Sequence, residues 1–129
     1  MYWDSSRPPV HGRDFAVDTG SLRPGVPMVR AHGRLDRATV GELWTAIDRC
    51  VDASPWAVVV DLTGLSELRA GAVPKLVDVA RRAAAAQIGL HFVTTGEVVD
   101  QVLAGPPADG LLVVHHSVEA AENALSGRS

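Results

Sequence analysis

The segment AVVVDL at positions 57–62 constrains the fold more than any other stretch of the chain. It is an apolar run of strand length, with Pro55 shortly before it and Thr63–Gly64 after it. Such a run suits a central strand buried on both faces, as in parallel sheets. Parallel neighbours cannot be joined by a hairpin and need crossovers long enough to hold a helix. The flanking sequence supplies those crossovers. Val40, Leu43, Trp44, Ile47 and Val51 recur at helical spacing and form one apolar stripe. Asp36 or Thr39 can cap that helix, and Thr39 with Glu42 has capping-box spacing. Val73, Leu76, Val77, Ala80 and Ala84 mark a second amphipathic helix. Pro74 falls in its first turn, where the backbone N–H would be unpaired anyway.

The remaining elements follow from period and punctuation. DFAVDT (14–19) alternates as a strand, GSLRPGVP (20–27) is turn chemistry, and PMVRAHGRL (27–35) is a second extended segment. Two strands so joined pair most cheaply as an antiparallel hairpin. TGLSELRAG (63–71) reads as a loop, GLHFVTT (89–95) as a strand, and 96–104 as a short helix preceded by the Thr94–Glu97 pair. LLVVHH (111–116) is a last strand, and Ser117 caps a final helix. The expected order is β-β-α-β-α-β-α-β-α. It describes a single α/β domain: a mostly parallel sheet with an N-terminal antiparallel hairpin and helices packed on it. Residues 1–12 read as a mobile N-terminal tail and 13–127 as the domain.

Composition narrows the function classes. The net charge is −3, without the basic excess of a nucleic-acid binder. Cys50 is the one cysteine and has no intramolecular disulfide partner, which fits a reducing compartment. No apolar run nears the roughly 20 residues of a membrane span. The segment MYWDSSRPPVHGR lacks the apolar core of a secretory signal. A cytoplasmic protein without direct membrane insertion is the expectation.

Motifs for catalysis are missing. Neither GxGxxG nor GxxxxGK[ST] occurs, and Gly64 and Gly71 are too few to cradle a pyrophosphate. Adjacent His115 and His116 point to opposite faces of a strand, and His11, His32 and His91 are scattered, so no metal site is expected. Ser66 has no nucleophile elbow around it, and Cys50 lies near an apolar helix face. The expectation is a non-enzyme without cofactors. The informative stretch is the segment after the central strand, Asp61 to Gly71, because sites in open α/β sheets lie at the carboxyl ends of strands.

The order of elements and this segment together resemble the STAS domain family, the fold of anti-sigma factor antagonists. The resemblance runs from about Asp14 to Gly127. Its G-x-x-D pattern is similar to Gly33, Arg34, Leu35 and Asp36, and its D-L-[ST]-G-[VL] pattern to Asp61, Leu62, Thr63, Gly64 and Leu65. The family's D-S-S-G box falls on Arg69, Ala70, Gly71 and Ala72. There the chain departs from the pattern. The family's phosphorylated serine falls on Ala70, which has no hydroxyl, and Arg69 reverses the charge of the preceding acid. Ser66 and Thr63 are the nearby hydroxyls left as substitute phosphorylation sites, although neither stands at the family position.

The resemblance implies a non-catalytic module that binds an anti-sigma factor or a regulatory serine kinase without the usual serine phospho-switch. The partner-facing residues it implies are Asp36, Thr63, Ser66, Glu67, Arg69, Ala70, Gly71, Val73 and Lys75. Two other readings stay open: a soluble subunit of a lipid ABC transport system, and a small-ligand-binding signalling domain using Arg30, His32, Asp36 and Asp61 at neighbouring strand ends. A homodimer also stays open.

Overall fold

The computed structural model describes residues 2–3, 15–94 and 113–126. Six strands lie side by side in chain order: β1 (Tyr2–Trp3), β2 (Phe15–Arg23), β3 (Val26–Leu35), β4 (Ala57–Leu68), β5 (Gly89–Val93) and β6 (Val113–His115). β1 pairs antiparallel with β2, and β2 with β3; β3, β4, β5 and β6 are mutually parallel. Among the described residues three α-helices accompany them: α1 (Val40–Asp52), α2 (Val73–Ala85) and α3 (Val118–Ser126). The mixed α/β architecture with an N-terminal hairpin is the one the sequence pattern implies.

Residues 57–62 are all buried, so the apolar run does form the doubly covered centre of the sheet. Val58, Val60 and Leu62 join Val29, Ala31, Leu90 and Phe92 in one core with α1 and α2. Ala57, Val59, Met28 and Val93 pack on the other side with Ala121 and Leu125 of α3. The α1 stripe buries Val40, Leu43, Ile47 and Val51, while Trp44 is only half-buried. Each full burial of a Leu, Ile or Val side chain contributes about 1.5–3 kcal/mol. The two helices are also tied on their outer sides. Arg82 of α2 reaches Asp48 and Asp52 of α1, and the Trp44 indole N–H donates to Asp78 at 3.1 Å.

The structure differs from the sequence reading at four places. Tyr2 and Trp3, read as tail, form a strand whose partners are Ser21 and Gly20, because the outer edge of β2 offers unpaired backbone groups. The turn 20–27 shrinks to Pro24–Gly25, with Gly25 at φ +83°; proline followed by glycine at positive φ closes the hairpin in two residues. Thr39 and Glu42 form no capping box: the Thr39 side chain makes no cap bond to α1. Segment 63–71 is not a loop. β4 continues to Leu68 beside β3, ending on the Leu35–Leu68 pair. It does so with two register shifts, which let a polar, glycine-containing stretch stay in the ladder. The expected helix 96–104 lies outside the described residues. Ser117 does cap α3, its Oγ accepting the Ala120 N–H at 3.0 Å.

Candidate functional site

The parallel strands deliver Leu35 and Leu68 to the same edge of the sheet, and the chain turns into a helix after each. After β3, Asp36 organises the turn. Its Oδ1 accepts the N–H groups of Ala38 (2.9 Å) and Thr39 (3.0 Å). The Thr39 hydroxyl is used backwards, donating to the Arg34 carbonyl at 2.9 Å. Partial burial pushes the Asp36 carboxyl up, but the N–H donors of Thr39 and Ala38, the Thr39 hydroxyl and the Arg34 charge together hold it below its ordinary 3.8. Gly33, at φ +95°, starts this turn-bearing end of β3 in a conformation other residues adopt poorly.

After β4, the Arg69 N–H donates to the Leu35 carbonyl at 2.9 Å, which locks the two strand ends together. A single 3₁₀ turn, Ala70–Ala72, then leads into α2. Ala70 and Gly71 are exposed, and Gly71 lies against Arg37: a Cβ on it would stand 3.7 Å from the Arg37 Cβ. Glu67 holds two guanidinium groups, Arg34 through one oxygen at 3.1 Å and Arg69 through the other at 3.0 Å. Lys75 sits over the Trp44 ring at 5.6 Å from its centroid.

Of the sequence-derived contact residues, Asp36, Glu67, Arg69, Ala70, Gly71 and Lys75 belong to this edge. Val73 faces inward, 5% exposed, so it presents no side chain to a partner. Thr63 lies further back along β4, its amide and hydroxyl both donating to Asp61 Oδ1 at 2.9 and 2.7 Å. Ser66 is exposed and falls at the second register shift, between the Gly33–Leu65 and Arg34–Glu67 pairs. The sequence reading missed Arg34, Arg37 and Trp44. Opposite charges at Arg34 and Glu67 were the available signal, usable only with the strand register known.

The ligand cluster of Arg30, His32, Asp36 and Asp61 does not converge. Arg30 pairs with buried Asp61 at 3.2 Å, His32 with Asp18 at 3.5 Å, and Asp36 is committed to its turn. His91 and His115 meet instead, Nδ1 to Nε2 at 3.0 Å with nearly parallel rings. Among the described residues, no three His, Cys, Asp or Glu side chains gather as a metal site, and no helix is long and apolar enough to cross a membrane.

Comparison with known proteins gives a consistent fold. The family model described as "Mlab, STAS domain" matches residues 19–113. No curated protein sequence matches the chain. Among solved structures, an anti-sigma factor antagonist from Mycobacterium paratuberculosis superimposes with a TM-score of 0.74 at 22% identity, over 86% of this chain and 95% of that one. The Bacillus cell fate determinant SpoIIAA in its phosphorylated form gives 0.64 at 14% identity, over 84% and 99%. An RsbS variant of Moorella thermoacetica gives 0.70 at 14% identity, over 86% and 95%.

Proposed function

The chain belongs to the STAS domain family, and from that premise we propose that it is a non-catalytic docking module for an anti-sigma factor or regulatory serine kinase. The observation that carries this reading is the exposed Arg69–Ala70–Gly71 turn at the junction of β4 and α2. A turn pinned by the Arg69–Leu35 backbone bond is a firm surface for a partner, because little ordering entropy remains to be lost on docking.

The family's phosphorylated serine corresponds to Ala70. A methyl group accepts no phosphate, so docking here is not released by a charge of about −1.5 to −2 placed on that turn. Arg69 adds a cation where the family pattern has an acid. Charge of either sign at an interface rim changes partner choice and association rate more than raw affinity. The result is a module whose binding is set by the availability of the partner.

The test is capture from the native organism with the wild-type chain, with Ala70→Trp and with Arg69→Asp/Ala70→Ser. Recovery of an anti-sigma factor or regulatory kinase by wild type, and its loss with Ala70→Trp, is the expected result. The double variant should become a substrate for the kinase and release it once phosphorylated. Recovery of ABC-transport subunits instead, or capture unaffected by Ala70→Trp, overturns the reading.

A further inference from the structure

Charge is unevenly arranged around the docking turn. The chain as a whole is acidic at −3, yet the edge beside Ala70 carries Arg34, Arg37, Arg69 and Lys75. The carboxylates there are engaged. Glu67 is divided between two guanidinium groups, Asp36 is bound by the Ala38 and Thr39 amides, and Asp78 accepts the Trp44 indole N–H. Glu42, in the first turn of α1, is a further acid on the adjoining helix.

Two guanidinium charges against one carboxylate leave the triad one net positive charge, and Glu67 contacts each arginine through its Nε. The Arg34 and Arg69 side chains remain 46% and 61% exposed. A guanidinium has five N–H donors in a planar fork, and the fork fits a carboxylate through two parallel bonds. Held by a common carboxylate, both forks lose less rotamer freedom when a second carboxylate arrives.

We propose that the Arg34–Glu67–Arg69 triad is the specificity element of this surface and selects a protein partner presenting an acidic segment to it. This rests on the docking reading above. Glu67 acts as a brake: it positions the two forks while competing with the incoming acids for them. Binding to the triad is therefore salt-sensitive, since exposed charges are screened over about 10 Å at 0.1 M salt.

The test uses the isotope-labelled full chain and two short peptides of equal length, one rich in Glu and Asp, the other in Lys and Arg. The acidic peptide should saturate with amide shifts at Arg34, Glu67, Arg69, Ala70 and Gly71, and bind more weakly as salt rises. Glu67→Gln should tighten that binding several-fold, whereas R34E/R69E should weaken it at least about tenfold. A scaffolding role alone would make Glu67→Gln weaken binding, so the sign of its effect is decisive. Equal binding of the basic peptide, shifts confined elsewhere, or no saturable binding overturns the proposal. Failure of the two readings is separable in the capture experiment. Loss of the partner with Ala70→Trp but not with R34E/R69E sinks the triad and leaves the docking surface; loss with neither sinks both.

Discussion

Gly64 and Ala31 approach so closely that a Cβ on Gly64 would stand 2.9 Å from the Ala31 carbonyl oxygen. The same Cβ would also meet the His32 ring at 2.5 Å, although that ring is a side chain and can give way. The carbonyl belongs to β3 and cannot move without disturbing the ladder. Gly64→Ala is therefore expected to cost about 1–3 kcal/mol, the usual penalty of overpacking. A lowered melting temperature checks this; an unchanged one would mean that β3 and β4 separate easily at that point.

Asp61 is 3% exposed and serves three donors: the Arg30 guanidinium, the Thr63 amide and the Thr63 hydroxyl. Asp61→Ala removes the acceptor that all three donors share, and a loss of about 1–3 kcal/mol is expected from denaturant unfolding. Asp61→Asn keeps an acceptor for Thr63 and loses the charge opposite Arg30, so it should fall between wild type and Asp61→Ala. If the two variants are equal, the Arg30 pairing accounts for the whole effect.

His115 gives the fold a dependence on mild acid. Burial, and then the charge of neighbouring His116, push its pKa below the ordinary 6.5. The unfolded chain then binds the proton more readily than the folded one. The associated stability is present above about pH 6.5 and is lost as pH falls through the lower, folded value. Urea midpoints between roughly pH 8 and pH 5.5 should decline on the acid side, and His115→Gln should flatten the decline. A slope unchanged by that substitution would assign the effect to another group.

Asp36 acts in a lower range. Its folded pKa lies below 3.8, so its contribution is present above that value and disappears as pH falls through the folded pKa. Asp36→Ala should speed amide exchange at Ala38 and Thr39 at neutral pH. In stronger acid, where the wild-type carboxylate is protonated too, the difference between the two proteins should vanish.

These positions show why part of the molecule was legible in sequence and part was not. The stripe from Val40 to Val51 announces itself because burial repeats with the helical period, and the run 57–62 because an unbroken apolar stretch of strand length marks a strand covered on both faces. Gly33, Asp36, Asp61 and Gly64 were recognisable as motif residues, and the structure gives each a backbone reason: a positive φ, a helix start, a bonded bend and a close approach. The extension of β4 to Leu68 was hidden, because Thr63 to Glu67 have the composition of a loop and are held in the sheet by β3. The Arg34–Glu67–Arg69 contact was hidden for the same reason. Its Arg34–Glu67 half depends on a parallel register shifted twice, and no local pattern encodes that offset. Val73 was misplaced because its position beside an exposed turn says nothing of which way α2 rotates.

The six described strands stand in the sheet in the order in which they occur in the chain. No strand has to be threaded between two that are already joined. As the polypeptide leaves the ribosome, each new strand finds its one neighbour already waiting at the growing margin. Growth in chain order adds strands at one margin only, so non-local pairings between strands distant in the chain are never required.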